Sequence, residues 1–265
     1  MPRDYESLYS LGFWPEDPDT EAGSRRVKKL ERMWEVVLKH PWLEGLGEVE
    51  LIDFCSGKGI AGITLAKKLG LKRVTLVDVR EEALEYASRW GEREGIEVKA
   101  VVDDLTSPNR LDELRGGYDL GIMVGTSHGH FSPWEMIRAL AYMSESLRDE
   151  GVLLIEGMDL HYAMLYLGYR NVLANVGDKG PVLTMTTGYD WRRGTFSEYY
   201  YNLRTGGESR ADVFYWGPST VSALTWIFFR DVDVFPFDGS YITLGKGRRD
   251  VLPLKDLETP KALRA

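Results

Sequence analysis

Three glycines and two carboxylates carry the first chemical signal in the chain. Residues 49–66, Val-Glu-Leu-Ile-Asp-Phe-Cys-Ser-Gly-Lys-Gly-Ile-Ala-Gly-Ile-Thr-Leu-Ala, read as a buried strand end at Leu51 and Ile52, a turn, and the first turns of a helix from Ala61. Asp53 sits at the carboxyl edge of that strand. Gly57, Gly59 and Gly62 remove side chains where a ligand must approach the backbone, and the helix start offers free N–H groups to the same place. A second strand, Arg73-Val74-Thr75-Leu76-Val77-Asp78, ends in a carboxylate 19 residues after Gly59. Two neighbouring parallel strands would put both acids on one sheet edge, where Asp78 can accept from both hydroxyls of a ribose, so the stretch reads as a nucleotide site. A third group of reactive side chains, His128 and His130, lies in the loop Thr126–Trp134 after the strand that runs from Tyr118 to Gly125. Reacting groups in open α/β sheets gather at such carboxyl ends, and imidazole titrates near neutrality.

Asp53-x-x-x-Gly57-x-Gly59, then Val77-Asp78, then Val101-Val102-Asp103-Asp104 resemble the first three motifs of class I S-adenosylmethionine-dependent methyltransferases. The resemblance is close over residues 45–160 and holds beyond them in outline. It implies that Gly57 and Gly59 pass near the methionine part of the cofactor, that Asp78 holds the ribose and that Val79 flanks the adenine. Asp104 or Asp103 would meet the adenine amino group, with Asp53 and Gly125 completing the cofactor set. The first glycine of the usual three-glycine loop is Cys55 here. The loop alone leaves an NAD-dependent oxidoreductase open, because residues 57, 59 and 62 also fit Gly-x-Gly-x-x-Gly. A catalytically silent methyltransferase-like binding subunit is a third reading. The Asp103-Asp104 pair and a terminal hairpin favour the methyltransferase.

The elements that must position these residues follow from apolar periodicity. Helices are expected from Ser24, as N-cap, to about His40-Pro41, and over 60–69, 81–94, 111–114 and 135–148. Strands are expected at 73–78, 97–102, 118–125 and 151–156. The alternation implies an α/β, three-layer, Rossmann-like, seven-stranded, mostly parallel sheet, closed by an antiparallel last strand from the hairpin 232–237 and 241–245. After residue 156 the pattern changes. A helix over 160–175 and three strands at 182–189, 195–204 and 210–216 read as an inserted helix and antiparallel β meander spanning 160–216. The whole is expected to be one domain over 1–250, with an N-terminal helical cap (1–45) and a loosely held tail (251–265).

The insertion is dense in aromatics, and alternation sets Tyr200 on the face opposite Tyr199 and Tyr201. It would either cover an acceptor site, with Tyr200 and His161 as pocket residues, or pair two subunits in a homodimer. Tyr5, Tyr9, Phe13 and Trp14 make residues 1–24 either an arm docked on the domain or a lid over the cofactor mouth.

Methyl transfer from a sulfonium needs an in-line nucleophile, positioning and desolvation, with a base only when the acceptor starts protonated. His128 and His130 are the residues suited to orient the acceptor or take its proton. His-x-His has no third ligand nearby in sequence, so no metal site is assigned. A net charge of -8 argues against a phosphate backbone as partner. No Asn-Pro-Pro-Tyr type segment follows strand four, which leaves a small molecule as the expected acceptor. A single cysteine, no apolar leader and no apolar run of membrane-spanning length point to a reducing, cytoplasmic setting. The absence of Gln and the four Asn fit a thermophilic source.

Overall fold

The computed structural model describes residues 4–165 and 172–263. α1 (Tyr5–Ser10) and α2 (Glu21–Val37) precede an alternating run: β1 (Leu51–Phe54), α3 (Ile60–Leu69), β2 (Arg73–Asp78), α4 (Glu81–Glu94), β3 (Glu97–Val102), α5 (Leu111–Leu114), β4 (Tyr118–Met123), α6 (Pro133–Ser146) and β5 (Leu147–Met158). α7 (Leu160–Leu165) leads toward β6 (Val172–Gly177), β7 (Gly180–Asp190), β8 (Thr195–Asn202) and β9 (Glu208–Val213). α8 (Pro218–Phe228), β10 (Phe229–Phe237) and β11 (Ser240–Arg248) follow. Seven strands form one sheet in the order β10-β11-β5-β4-β1-β2-β3, and β6-β7-β8-β9 form a separate sheet. β1 to β5 pair in parallel, while β11 runs antiparallel to both β5 and β10. This is the α/β fold expected from the sequence.

Every residue of β1 is buried, as a strand covered on both faces requires. On one face Leu30, Met33 and Trp34 of α2 pack with Ile63 of α3 and Trp90 of α4. The Trp34 indole N–H, inside this layer, donates to Thr64 Oγ1 at 3.1 Å. On the other face Phe54, Leu140 and Tyr142 pack with Trp216 and Phe228.

Several elements depart from the sequence expectation. α2 starts at Glu21, and its N-cap is Thr20, whose hydroxyl accepts from Gly23 N–H at 3.0 Å, so Ser24 lies inside the helix. Gly23 makes this start workable: an added Cβ would lie 1.7 Å from Asp17 O, so the preceding turn packs directly on the helix. The helix expected over 160–175 ends its described part at Leu165. Residues 172–175 belong to β6, which forms a hairpin with β7 through Asp178 and Lys179. The rest of that expected helix, 166–171, lies outside the described residues. Apolar residues in a run this short fit either period, and the hairpin partner decides. β9 ends at Val213 rather than 216, because Phe214 N–H turns away to donate to Gly129 O at 2.8 Å. The tail is anchored: Leu254 is buried, its N–H donates to Glu145 Oε1 at 2.6 Å, and Arg138 Nη1 reaches Leu257 O.

The closeness of α3 to β1 and β2 depends on Gly62. An added Cβ would sit 2.8 Å from Leu76 Cδ2 and 2.9 Å from Asp53 Oδ2. Gly62→Ala should therefore lower stability by about 1–3 kcal/mol, the usual range for overpacking, read as a fall in the denaturant midpoint.

Candidate functional site

The carboxyl ends of β1, β2, β3 and β4 converge on one edge, and the glycine turn lies at its centre. Cys55 adopts φ +55°, Gly57 +54° and Gly59 +76°, a run of left-handed backbone in which only Cys55 carries a side chain. Cys55 thus takes a glycine-like conformation at the position of the missing glycine, at some cost in strain. Burial pushes its thiol pKa well up, which keeps the sulfur protonated.

The two acids of the turn are both committed to backbone. Asp53 is buried and accepts from Gly62 N–H at 2.8 Å. Desolvation pushes its carboxyl up to about 8, with the Gly62 hydrogen bond and the Arg26 charge working against the rise. Asp78 accepts from Gly57 N–H at 2.7 Å through Oδ2 and from Arg80 N–H at 2.9 Å through Oδ1. A carboxylate has about four acceptor sites, so Asp78 retains capacity for a ligand's hydroxyls.

Next to Asp78, Val79 is exposed. The two acids after β3 have different roles. Asp103 is buried and accepts from Asn109 N–H at 2.8 Å, Arg110 N–H at 3.1 Å and Tyr142 OH at 2.9 Å. Asp104 is exposed and accepts only locally, from Thr106 N–H and hydroxyl, each at 2.7 Å. Val79 and Asp104 are thus both exposed at this edge, while Asp103 braces the loop through its three donors.

After β4, Gly125 adopts φ +92° and donates its N–H to Glu156 Oε2 at 2.8 Å. A Cβ there would lie 2.5 Å from Arg26 Nη2, so the guanidinium of Arg26 rests on Gly125, its hydrogen bond going to Pro15 O at 3.2 Å. Arg26 thus presents a cation at Gly125, and its charge also reaches Asp53.

The two histidines point into different surroundings. His128 is fully buried, shares a 2.9 Å hydrogen bond between Nε2 and Tyr241 OH, and fills the space above Gly157, where a Cβ would lie 2.0 Å from its ring. Burial holds its pKa down at about 3. His130 is half-buried, its Nε2 lies 3.2 Å from Tyr9 OH, and Tyr5 meets its ring edge-on at 5.2 Å. Trp14 is 6.0 Å from the same ring and 5.8 Å from Tyr200, which is buried and also meets Phe13 at 5.6 Å. The N-terminal arm therefore joins His130 to the inner face of the second sheet. His161 stands apart from this cluster on α7, exposed, with its ring against Gly217.

Sequence reasoning missed Arg26, Arg80, Glu16 and Glu156. Arg80 alone left a trace, as a long cation at the N-cap position of α4, where a short capping side chain is usual. Among the described residues there is no group of three or more metal-ligating side chains, and no helix is long and apolar enough to cross a membrane.

Comparison with known proteins bears on the family and the fold. Residues 51–151 match the family model described as a methyltransferase domain. A curated relative, the release factor glutamine methyltransferase of Mycobacterium leprae, is 39% identical over 70 residues, which are 26% of this chain and 24% of that enzyme. The chain thus spans about a quarter of that relative's length. Among solved structures, a protein from Pyrococcus horikoshii superposes with a TM-score of 0.66 at 18% identity, over 91% of this chain and 98% of that one. An amino pentose methyltransferase from Micromonospora echinaspora, solved with S-adenosylmethionine bound, superposes with a TM-score of 0.55 at 15% identity, over 93% and 98%. At such identities these structures speak for the fold, and the likenesses lend no support to a dinucleotide oxidoreductase or a silent subunit.

The burial of His128 has a direct spectroscopic consequence. Its ring should stay neutral from pH 5 to pH 9, because a pKa held near 3 keeps the proton off throughout that window. Its imidazole resonances in an NMR titration should be flat, and an inflection above pH 5 would show that the ring reaches solvent.

Proposed function

We propose that the methyltransferase domain at residues 51–151 makes this chain an S-adenosylmethionine-dependent methyltransferase acting on a small-molecule acceptor. The observation that carries the reading is Asp78. It is a carboxylate at the end of β2, braced on the glycine turn, with Val79 exposed beside it and Asp104 exposed just after the neighbouring strand β3. Asp78 would accept from the ribose, and Val79 and Asp104 would take the adenine; the methionine part would lie along the backbone of the turn, where Arg80 already fills the Cβ position of Gly57 and Leu76 that of Gly59. Arg26, its guanidinium against Gly125, would pair with that part's carboxylate.

When bound, the sulfonium supplies an electrophilic methyl group. The chain's own contribution is to align the nucleophile and exclude water, which suits a site covered by aromatic side chains. His130 faces that aromatic cluster and is suited to orient the acceptor or take its proton. His128, neutral and tied to Tyr241, is suited to hold the loop that carries His130. The small acceptor is supported by the acidic charge balance and by the second sheet, whose strand end at Phe214 is bonded to the His128–His130 loop.

Calorimetric titration tests the cofactor. S-adenosylmethionine and S-adenosylhomocysteine should bind and NAD should not, and Asp78→Ala should weaken adenosyl binding by about 1.5–3 kcal/mol, the scale of hydrogen bonds to a charged group. NAD binding alone would replace this reading with the oxidoreductase.

The raised pKa of Asp53 adds a proton signature. With a pKa of about 8 the carboxyl is mostly protonated at pH 7. A cationic ligand arriving nearby favours the carboxylate and so should expel up to about one proton. Binding heats at pH 7 in buffers of different ionisation enthalpy should show this release; it should vanish in Asp53→Asn and fade at pH 9, where the group is already ionised.

A further inference from the structure

A row of polar side chains between Asp78 and His130, with Arg80 buried and Glu16 and Tyr9 half-buried, is not accounted for by cofactor contacts alone. Arg80 stands at the N-cap of α4 without capping it, its side chain only 5% exposed. Its Nε lies 3.4 Å from Asp78 Oδ1, on the oxygen that also accepts from its own backbone N–H. Its two terminal nitrogens donate to both oxygens of Glu16, Nη1 to Oε1 at 3.1 Å and Nη2 to Oε2 at 2.8 Å. The guanidinium plane covers the ring of Tyr9, with Cζ 3.9 Å from the centroid, and the Tyr9 hydroxyl meets His130 Nε2 at 3.2 Å. One cation therefore touches the ribose-side carboxylate, the acid of the arm and the tyrosine that contacts the acceptor-side imidazole. Desolvation raises the pKa of Tyr9, so its phenol stays protonated beside the imidazole.

The same guanidinium lies over the glycine turn, since a Cβ on Gly57 would sit 2.7 Å from Arg80 Nη2 and 3.2 Å from Glu16 Oε2. The cavity of about 540 Å³ beside it opens on the α4 side of the arm, lined by Glu6, Trp14, Lys58 and Tyr86 among others, while Asp78, Asp104 and Gly125 do not line it. The arm thus roofs the turn and is fastened there by Arg80. A fork that pairs with one carboxylate while its face stacks on an aromatic ring is a geometry that only arginine supplies.

We propose that Arg80 is a positioning residue that couples occupancy of the Asp78 carboxylate to His130, by seating Tyr9 against the imidazole. This rests on the reading of Asp78 as the ribose acceptor. A hydroxyl arriving at Asp78 draws on lone pairs that now face Arg80, and the cation's attraction shifts toward Glu16, which carries the arm and Tyr9 with it.

The test uses the full chain with ¹⁵N-labelled histidine, whose four imidazoles, at 40, 128, 130 and 161, report which ring nitrogen carries the proton. His130→Gln identifies the His130 signals. Tyr9→Phe and Arg80→Met should each move them, although of these two side chains it is Tyr9 that touches the ring. Arg80→Lys keeps the buried charge, and should move them too because it cannot both fork and stack; it serves if Arg80→Met fails to fold. Saturating S-adenosylhomocysteine should shift His130 in the unaltered chain and leave it unmoved in the Arg80 variants. His130 signals at the unaltered position in either Arg80 variant would overturn the proposal, as would bound S-adenosylhomocysteine, verified by calorimetry, that leaves His130 unmoved. If S-adenosylhomocysteine does not bind at all, the proposed cofactor and the coupling both fall, while the ligand-free spectra still judge the link from Arg80 through Tyr9 to His130.

Discussion

The carboxylate of Asp78 is the point on which the site's geometry depends. It ends β2, accepts the N–H of Gly57 from the turn after β1, accepts the N–H that opens α4, and faces the side chain that fastens the N-terminal arm. Buried backbone donors must be satisfied, and here the satisfying acceptor is also the group proposed to hold the ribose. The turn after β1, the junction of β2 with α4 and, through Arg80, the N-terminal arm are therefore set by one side chain. The other acids at the edge divide the labour: Asp53 holds α3 through Gly62, and Asp103 holds the loop after β3 through three donors. Asp104 and Val79 are left facing outward.

Much of this organisation was legible in the sequence because it is local. β1, buried at every residue, reads as an apolar run broken by Asp53 alone, and the helices between the strands show their apolar faces at helical spacing. The glycine turn and the acid ending β2 are separated by a distance that topology fixes, so Gly57, Gly59 and Asp78 could be named before any fold was known. The same local signal could not separate two cofactors. Gly62, which allows α3 to pack on Leu76 and Asp53, performs a packing role that any such strand–turn–helix unit needs, whichever ligand it serves.

What the sequence did not disclose depends on partners far along the chain. Two histidines one residue apart look alike in sequence, yet His128 is enclosed against Tyr241 and His130 meets the N-terminal arm, 121 positions away. Asp103 and Asp104 are likewise adjacent, and only the three donors brought to Asp103 tell them apart. β6 could not be told from a continuing helix because its identity comes from pairing with β7. Arg26 lies on a helix face whose spacing says nothing of Gly125, and Glu16 sits in a turn-like stretch with no periodicity. In each case the decisive contact joins segments that propensity treats separately.

The most direct test of the central claim is a crystal structure of the chain grown with S-adenosylhomocysteine. The account predicts the ribose hydroxyls on the carboxylate of Asp78, the adenine between Val79 and Asp104, and the carboxylate of the ligand's amino-acid end on Arg26. An adenosyl group bound elsewhere, with the Asp78 carboxylate engaged only by Gly57 and Arg80, would contradict it.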